Sequence, residues 1–349
     1  MQSTTRLLRP SRRVAQQITC RAFSTSRPCR QQHASAADAA QRMLENHGKS
    51  TIVRRQLIDP NQLAKLAFTL GRPNVSGVAV SDDSVLPAGT PVPPGYHLVY
   101  FTPGGVEADL GPDGTDRSFN APAPFSRRMW AGGAMEWKSG EALKVGDEVE
   151  ERTRLISATP KTSKSTGAGM VLVEVEKELW SPRGLAVVDR RSWIFRPAIT
   201  EADLREAKPP PFQSSSDTVS TVSDTQGSDG LIRHFNWSPV GLFRFSALTF
   251  NGHKIHYNDD WTHRVESYAG LVVHGPLNLI NLLNYWQDAH GTATGHVVQN
   301  IQYRAVSPIY AGQPYQVRSK GERTTEAGET KWDVVVEKNG KPCMVAEIQ

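Results

Sequence analysis

Cysteine is scarce in this chain, and long apolar runs are missing. Three cysteines occur in 349 residues, and two of them, Cys20 and Cys29, lie close to the N-terminus. Only Cys343 remains for the rest of the chain, so an internal disulfide or a cysteine-based metal site is excluded there. No apolar stretch reaches the length of about 18 residues that a transmembrane helix needs. We therefore expect no membrane span.

Acidic residues are absent before Asp38. Residues 1–30 instead hold seven arginines among eight serines and threonines. This composition is typical of a mitochondrial transit peptide. We therefore predict that residues 1–35 are a transit peptide and that the mature protein is in the mitochondrial matrix. A basic disordered tail is the alternative. Without these seven arginines, the 40 basic residues fall to 33 against 35 acidic residues. The excess positive charge thus belongs to the leader and gives little support for nucleic-acid binding.

Helix and strand signals follow the leader in an order that occurs twice. A helix is predicted from Asp59 to Leu70, because Asp59 suits an N-cap and Pro60 suits the first helical position. Strands follow it, and the same order returns after a Ser-rich stretch within residues 200–232, which we interpret as a flexible linker. We therefore predict an α+β protein with halves at residues 36–199 and 233–349. The other predicted elements are strands at His97–Phe101, 127–138, 147–158, 168–180, 185–196, 295–305, 314–325 and 330–348, and helices at Ser238–Leu248 and 277–287.

The densest polar segment is Thr249–Asp259, directly before the second of these helices. It contains Asn251, His253 and His256, and histidine is the usual general acid or base near neutral pH. Ordinary surface histidines in a loop would give the same pattern. A metal site is not indicated, because no third ligand stands at a recognisable spacing.

A second segment, Val273–Leu277, opens the predicted apolar helix 277–287. Its Gly275 allows a close backbone approach, and its N–H groups lie at the positive end of the helix dipole. Such groups can hold an enolate oxygen that develops from a thioester carbonyl. Pro276 has no N–H, so the donor would be Gly275 or Leu277. An ordinary helix start is the alternative interpretation.

These segments resemble a known family. Leu242–Tyr257 together with Gly270–Leu277 is similar to the mitochondrial hydroxyacyl-thioester dehydratase type 2 group, and equally to the bacterial mesaconyl-C4-CoA hydratases. Arg127–Trp137 is similar to the N-terminal half of these (R)-specific hydratases. The resemblance implies a double hot-dog fold, with two antiparallel sheets that each wrap around a central helix. It also implies that the first half shapes the acyl pocket and the second half carries the catalytic residues.

The resemblance further implies roles for individual residues. His256 falls on the family's catalytic histidine, and Asn251 stands where the broader family has an aspartate. An amide cannot accept a proton as a carboxylate can, so His256 is expected to act as acid and base while Asn251 positions water or substrate. Gly275 falls on the glycine whose N–H serves as the oxyanion donor. The substrate-binding positions are then His253, His274 and Leu277.

The implied activity is a hydro-lyase reaction without a metal or organic cofactor. We expect an (R)-3-hydroxyacyl-thioester dehydratase of mitochondrial type II fatty acid synthesis, with acyl carrier protein or coenzyme A thioesters as substrates. A short-chain hydratase of the mesaconyl-C4-CoA type, a hot-dog thioesterase and a non-catalytic acyl-binding protein are the alternatives. The predicted helix 277–287 contains no acidic residue, which disfavours the thioesterase. The sequence does not determine the oligomeric state, and a homodimer is the assembly that we consider.

Overall fold

The structure, a computed structural model, describes residues 34–164, 166–200, 203, 211, 219–228, 230–292, 295–326 and 328–349. All but the last two residues of the predicted transit peptide lie outside this part. Within it, the α-helices are α1 Ala36–His47, α2 Pro60–Leu70, α3 Pro239–Leu248, α4 Asp259–Arg264 and α5 Gly275–Trp286. The strands are β1 Thr51–Leu57, β2 Asn74–Val75, β3 Val78–Ala79, β4 Arg127–Trp137, β5 Glu148–Thr162, β6 Gly169–Ser181, β7 Gly184–Arg196, β8 Thr221–Gly227, β9 Gly230–Asn236, β10 Asn300–Ala305, β11 Tyr315–Thr324, β12 Thr330–Lys338 and β13 Lys341–Ile348.

One large antiparallel sheet dominates the fold. Its eleven strands among the described residues run in the order β1-β5-β6-β7-β4-β10-β13-β12-β11-β9-β8. The first five strands of this order come from the first half of the chain, and the others come from residues 221–348. β4 and β10 join the halves, with Gly133 facing Tyr303. The α+β double hot-dog prediction is confirmed, with one correction: the two predicted sheets are continuous, because β4 and β10 pair edge to edge.

Helix α5 is the central helix of the second half. Its residues from Leu277 to Trp286 are all buried, as its largely apolar sequence requires. The two inner asparagines are not left unpaired: the Tyr315 hydroxyl donates to Asn278 Oδ1 at 2.8 Å and accepts from Asn281 Nδ2 at 3.3 Å. The predicted helix is therefore confirmed, and it begins two residues earlier, at Gly275.

Two helices cover the sheet in the first half. α2 begins as predicted, with the Asp59 carboxylate accepting from the Asn61 N–H at 2.8 Å, and it ends at Gly71, whose φ of 66° suits glycine. α1 was not predicted. It carries a capping box between Ser35 and Asp38 and buries Met43 over β5 and β6. No helix among the described residues is long and apolar enough to cross a membrane.

Several sequence interpretations need correction. His97–Phe101 is not a strand, because Tyr96–Val99 forms a 3₁₀ helix. Residues 330–348 form a hairpin rather than one strand, since Asn339 and Gly340 both adopt positive φ, as a tight turn requires. Within the predicted linker, β8 pairs with β9 along its whole length, although much of that stretch lies outside the described residues. The assignment of the halves to acyl pocket and catalysis stays a prediction.

Candidate active site

A short loop after α3 carries the polar residues that the sequence singles out. Ser238 caps α3 by accepting from the Gly241 N–H at 3.1 Å, and the helix ends at Leu248. The Asn251 N–H then donates to the Ser246 carbonyl at 2.9 Å. The Asn251 side chain accepts from the His253 N–H at 3.1 Å through Oδ1, which leaves its Nδ2 group as a donor. The loop is thus fixed by its own backbone and by one amide oxygen.

His256 ends this loop in a single 3₁₀ turn, Lys254–His256, and its side chain is buried. Its Nδ1 lies 2.6 Å from the Val272 carbonyl oxygen. A carbonyl oxygen can only accept, so Nδ1 carries the proton and Nε2 keeps its lone pair. Burial lowers the pKa of His256 to about 4. The ring is therefore neutral near pH 7, in the tautomer that a base requires.

The segment just before α5 brings a third imidazole into the site. His274, its N-cap residue, stacks on His256 with ring centroids 3.6 Å apart and planes inclined by 18°. Its Nε2 lies 2.8 Å from Ser246 Oγ, while its Nδ1 is buried and has no hydrogen-bond partner in the described part of the chain. Burial, together with the neighbouring imidazoles, lowers the pKa of His274 well below its usual value. His274 therefore links the loop to the start of the central helix.

His253 faces a loop that comes from the first half. Its Nε2 lies 3.7 Å from Asp113 Oδ2, and its ring meets the His256 ring edge to face at a centroid distance of 5.4 Å. The other carboxylate oxygen of Asp113 accepts from the Thr115 backbone and hydroxyl at 3.0 and 2.8 Å. The Asp113 carbonyl also accepts from the Lys254 N–H at 2.8 Å. One carboxylate thus orders its own loop and presents its second oxygen to His253.

Gly275 is packed so tightly that only glycine fits there. A Cβ atom would lie 2.9 Å from Cγ of Trp130 on β4. As the first residue of α5, Gly275 has no acceptor for its N–H among the residues that the structure describes. The Leu277 side chain, by contrast, is fully buried in the core. Any contact of Leu277 with substrate is therefore limited to its backbone N–H, the group for which the sequence names it as a candidate donor, and this role stays a prediction.

A cavity of about 860 Å³ lies between the two halves of the sheet and reaches this site. Asn251, His253, His274 and Pro276 line it. His256 does not line it, and lies one ring thickness behind His274. The volume falls within the range of small-molecule sites.

Three phenylalanines on the cavity wall have strained backbones. Phe101, Phe119 and Phe250 adopt φ angles of 53°, 57° and 47°. Positive φ is rare for bulky side chains, and such strain is concentrated at functional sites. Phe250, directly before Asn251, is largely exposed at the cavity rim.

The first half was expected to shape the acyl pocket, but the sequence interpretation did not identify the residues through which it lines this cavity. Trp130 and Lys177 line it, as does Arg191, whose guanidinium lies 5.6 Å from the Trp130 ring centroid. One signal was present: Lys177 interrupts an otherwise apolar period of two in β6, where Val171, Val173, Val175 and Leu179 are buried. Trp130 gave no such signal, since a strand tryptophan is more often core packing.

Comparison with known proteins identifies the family of the chain. Residues 95–311 match the family described as hydroxyacyl-thioester dehydratase type 2. A mesaconyl-C(4)-CoA hydratase from Chloroflexus aurantiacus is 29% identical over 246 residues, which cover 68% of this chain and 78% of that protein. The mitochondrial hydroxyacyl-thioester dehydratase type 2 of Schizosaccharomyces pombe is 25% identical over 236 residues, covering 65% and 77%.

Solved structures share the fold. A MaoC-like dehydratase superposes with a TM-score of 0.61 at 12% identity, over 88% of this chain and 98% of the other. A MaoC-like dehydratase from Phytophthora capsici gives 0.58 at 16% identity, over 88% and 97%. The family match covers more than half of the 349 residues. The chain therefore belongs to the hydroxyacyl-thioester dehydratase type 2 family and is an enzyme of the hydro-lyase kind.

Proposed function

We propose that this enzyme interconverts (R)-3-hydroxyacyl and trans-2-enoyl thioesters, on acyl carrier protein substrates of mitochondrial type II fatty acid synthesis. One observation carries the proposal. The His256 imidazole stacks on His274, the residue that immediately precedes the Gly275 N–H at the start of α5. His274 lines the cavity, with the base His256 stacked behind it and the donor Gly275 next to it in the chain, so both groups lie one residue behind the cavity wall.

The reaction follows from these two groups. Because His256 lies one ring behind the cavity wall, the scheme requires a water that reaches its Nε2 past His274. In hydration, Nε2 of His256 takes a proton from this water as the water oxygen bonds to C3 of the enoyl thioester. The electron pair of the C2–C3 double bond moves toward the thioester carbonyl, whose oxygen accepts from the Gly275 N–H. Return of the proton to C2 restores the thioester. General acid–base catalysis contributes roughly 10²–10⁴-fold, and an oxyanion donor about 10²–10³-fold.

In this scheme Asn251 positions water or substrate and does not transfer a proton. Its Oδ1 is engaged by the His253 N–H, so the Nδ2 group is the part that can hold water or the substrate hydroxyl. His253 lies on the cavity wall between Asn251 and Asp113 and assists by orienting the same water. His274 contacts the acyl thioester from the cavity wall.

The mitochondrial assignment rests on sequence and on one relative. The acid-free, Arg-rich leader has transit-peptide composition, and the Schizosaccharomyces pombe relative is described as mitochondrial. A fusion of residues 1–35 to a fluorescent reporter should enter the matrix in cells. A reporter that stays in the cytosol would remove this part of the proposal.

Two other classes of protein are less well supported. A thioesterase needs an acidic residue on the central helix, and here the nearest, Asp288, lies past the helix end and pairs with Arg72 and Arg233 at 2.7 Å each. A non-catalytic acyl-binding protein would not need His256 in a fixed tautomer. A short-chain acyl-CoA hydratase remains the closest alternative, since the Chloroflexus relative is described as a mesaconyl-C(4)-CoA hydratase.

Substrate assays test the proposal directly. The purified chain should hydrate crotonyl-CoA and the corresponding acyl carrier protein thioester, measured by loss of the enoyl-thioester absorbance. His256→Ala should lower kcat at least 10²-fold while circular dichroism stays unchanged. Val240→Ala, a change of an exposed residue on α3 that does not line the cavity, serves as a folding control. Wild-type turnover by His256→Ala would refute the assignment of the base, and inactivity of the wild type on every thioester would refute the hydro-lyase proposal itself.

A further inference from the structure

Helix α3 has apolar side chains on both of its faces. Its inner face is buried, and Ser246 on that face places its Oγ 2.8 Å from His274 Nε2 in the candidate active site. Its outer face exposes Val240 and Phe243, whose exposed fractions are 67% and 62%. Phe250, just past the helix end, is 68% exposed. A helix that is apolar on both faces is normally buried on both, so the outer face of α3 is left uncovered by the described part of the chain.

Exposed aromatic side chains are concentrated at the cavity rim. In the described part of the chain three aromatic residues are exposed, Phe243, Phe250 and Tyr257, and all three line the cavity. Val240, Phe243 and Ala247 are three and four positions apart on α3, so these exposed residues are neighbours on one side of the helix. Single exposed apolar residues are common, whereas a group of them beside a cavity marks a binding surface. We call Val240, Phe243, Ala247 and Phe250 the rim patch.

The rim patch extends beyond the cavity. Phe243, Ala247 and Phe250 line the cavity, whereas Val240, near the start of α3, does not. A small molecule bound in the cavity would therefore leave Val240 uncovered. The phosphates of coenzyme A are also a poor match for the patch, because they bind cations rather than apolar side chains. The patch fits a macromolecule that docks at the rim while its thioester arm enters the cavity.

The charge on the α3 side of the rim is positive. The segment from Ser238 to Asn258 contains two basic residues and no acidic one. Arg244 is exposed on α3 and, like the exposed Arg117 of the cavity rim, forms no ion pair with any residue that the structure describes. The exposed acidic residues of the rim, Glu107 and Asp109, belong to a separate loop of the first half. The α3 side therefore complements an acidic partner.

We infer that the rim patch and Arg244 dock an acidic carrier protein, which presents an apolar helix face flanked by carboxylates and inserts its thioester arm into the cavity. The inference rests on the proposed function and deepens it, because it assigns the surface through which the enzyme selects protein-bound thioesters. Docking acts on the carrier and not on the reacting atoms. Loss of the patch should therefore raise KM for protein-bound substrate and leave kcat nearly unchanged.

The test compares the crotonyl thioesters of acyl carrier protein and of pantetheine on the full chain. Wild type should prefer the protein-bound thioester by at least about tenfold in kcat/KM, and the absence of a preference overturns the inference. Val240→Glu and Arg244→Glu change residues that do not line the cavity. Each should lower kcat/KM for the protein-bound thioester about tenfold, through KM, and leave crotonyl-pantetheine unaffected. The effect of Arg244→Glu should decrease as the ionic strength rises, because exposed charges are screened by salt.

Leu44→Glu and Arg42→Glu are the matched control variants. Both residues are exposed on helix α1, and neither lines the cavity. They repeat the two kinds of substitution at a distance from the rim patch in the sequence, and they should keep wild-type kcat/KM with both substrates. An equal loss in the α1 variants would show that net charge alone matters and would overturn the assigned surface.

Crotonyl-CoA tests whether the patch binds a nucleotide instead. Phe243→Ala should lower kcat/KM for the protein-bound thioester at least about tenfold more than for crotonyl-CoA or crotonyl-pantetheine, since aromatic residues dominate protein interfaces. If it lowers only the crotonyl-CoA value, Phe243 contacts the nucleotide and the inference is overturned. An equal loss on all three substrates would mean that Phe243 only shapes the cavity, which also overturns its role in docking.

Other occupants of the patch give different results with Val240→Glu. A wild-type dimer that becomes a monomer in sedimentation would show that a second copy of the chain covers the patch. Loss of binding to vesicles of phosphatidylcholine and phosphatidylglycerol would show a lipid surface. A lower melting temperature than that of wild type would show that Val240 packs within the chain itself. Each of these three outcomes overturns carrier docking.

Binding separates failure of this inference from failure of the proposed reaction. Calorimetry with acyl carrier protein that bears free phosphopantetheine needs no turnover. Binding by wild type that is weakened in Val240→Glu and Arg244→Glu supports the docking surface even if no thioester is hydrated. Equal binding by wild type and both variants, or no binding at all, overturns the surface, whether or not crotonyl-CoA is hydrated.

Discussion

Protonation of the buried histidine cluster should destabilise the fold as the pH falls. The pKa of His256 is about 4 in the folded protein, against 6.5 for an unperturbed histidine. Since the unfolded chain binds the proton more readily, the free energy of unfolding is highest above pH 6.5 and decreases as the pH falls toward 4. For His256 alone the loss is about 2 kcal/mol at about pH 5, and about 3 kcal/mol once both states are protonated. His253 and His274, whose pKa values are also lowered, contribute with the same sign.

Urea unfolding at about pH 7.5 and at about pH 5 measures this loss. In His256→Asn the residue no longer titrates, so its free energy of unfolding should fall between the two pH values by about 2 kcal/mol less than that of wild type. Val273→Ala is the control, because it removes buried volume beside the cluster without removing an imidazole. An identical pH dependence in wild type and His256→Asn would show that His256 is accessible to water and would refute the reasoning from burial.

Three further predictions concern activity. Gly275→Ala should lower kcat by about 10²–10³-fold and the free energy of unfolding by roughly 1–3 kcal/mol, because its Cβ would overlap Trp130; kinetics and urea titration measure the two effects. Asn251→Asp should shift the acidic limb of the kcat/KM profile to higher pH, since a carboxylate raises the pKa of nearby imidazoles; an unchanged profile would contradict this. Asp113→Asn keeps an acceptor for Thr115 but removes the charge facing His253, so kcat should fall severalfold with KM little changed, whereas a thermal shift without a kinetic effect would make Asp113 purely structural.

Local signals predicted much of the secondary structure. The N-cap at Asp59, the apolar run of α5 and the alternating valines of β6 each identify an element within the segment itself. Pairing between distant segments carries no such signal. The junction of β4 and β10 joins residues more than 160 positions apart in the chain, so the continuous sheet could not be read from either strand alone.

The residues of the candidate site were also predictable only in part. The loop with Asn251 and His256 was found because several polar residues stand together in the sequence, and the family resemblance supplied their expected roles. Asp113, which faces His253, and Lys177, which lines the cavity, come from the first half and lie isolated among unrelated residues. Only the packing of the halves shows that Asp113 faces His253 and that Lys177 lies on the cavity wall.

The β4–β10 junction also restricts how substrate can enter. Five facing residue pairs join the two strands at the middle of the sheet. A hinge between the halves would have to break this backbone ladder. Opening and closing must therefore come from the rim, where residues 104–109 and Phe250 are exposed, while the floor of the cavity keeps its shape through each catalytic cycle.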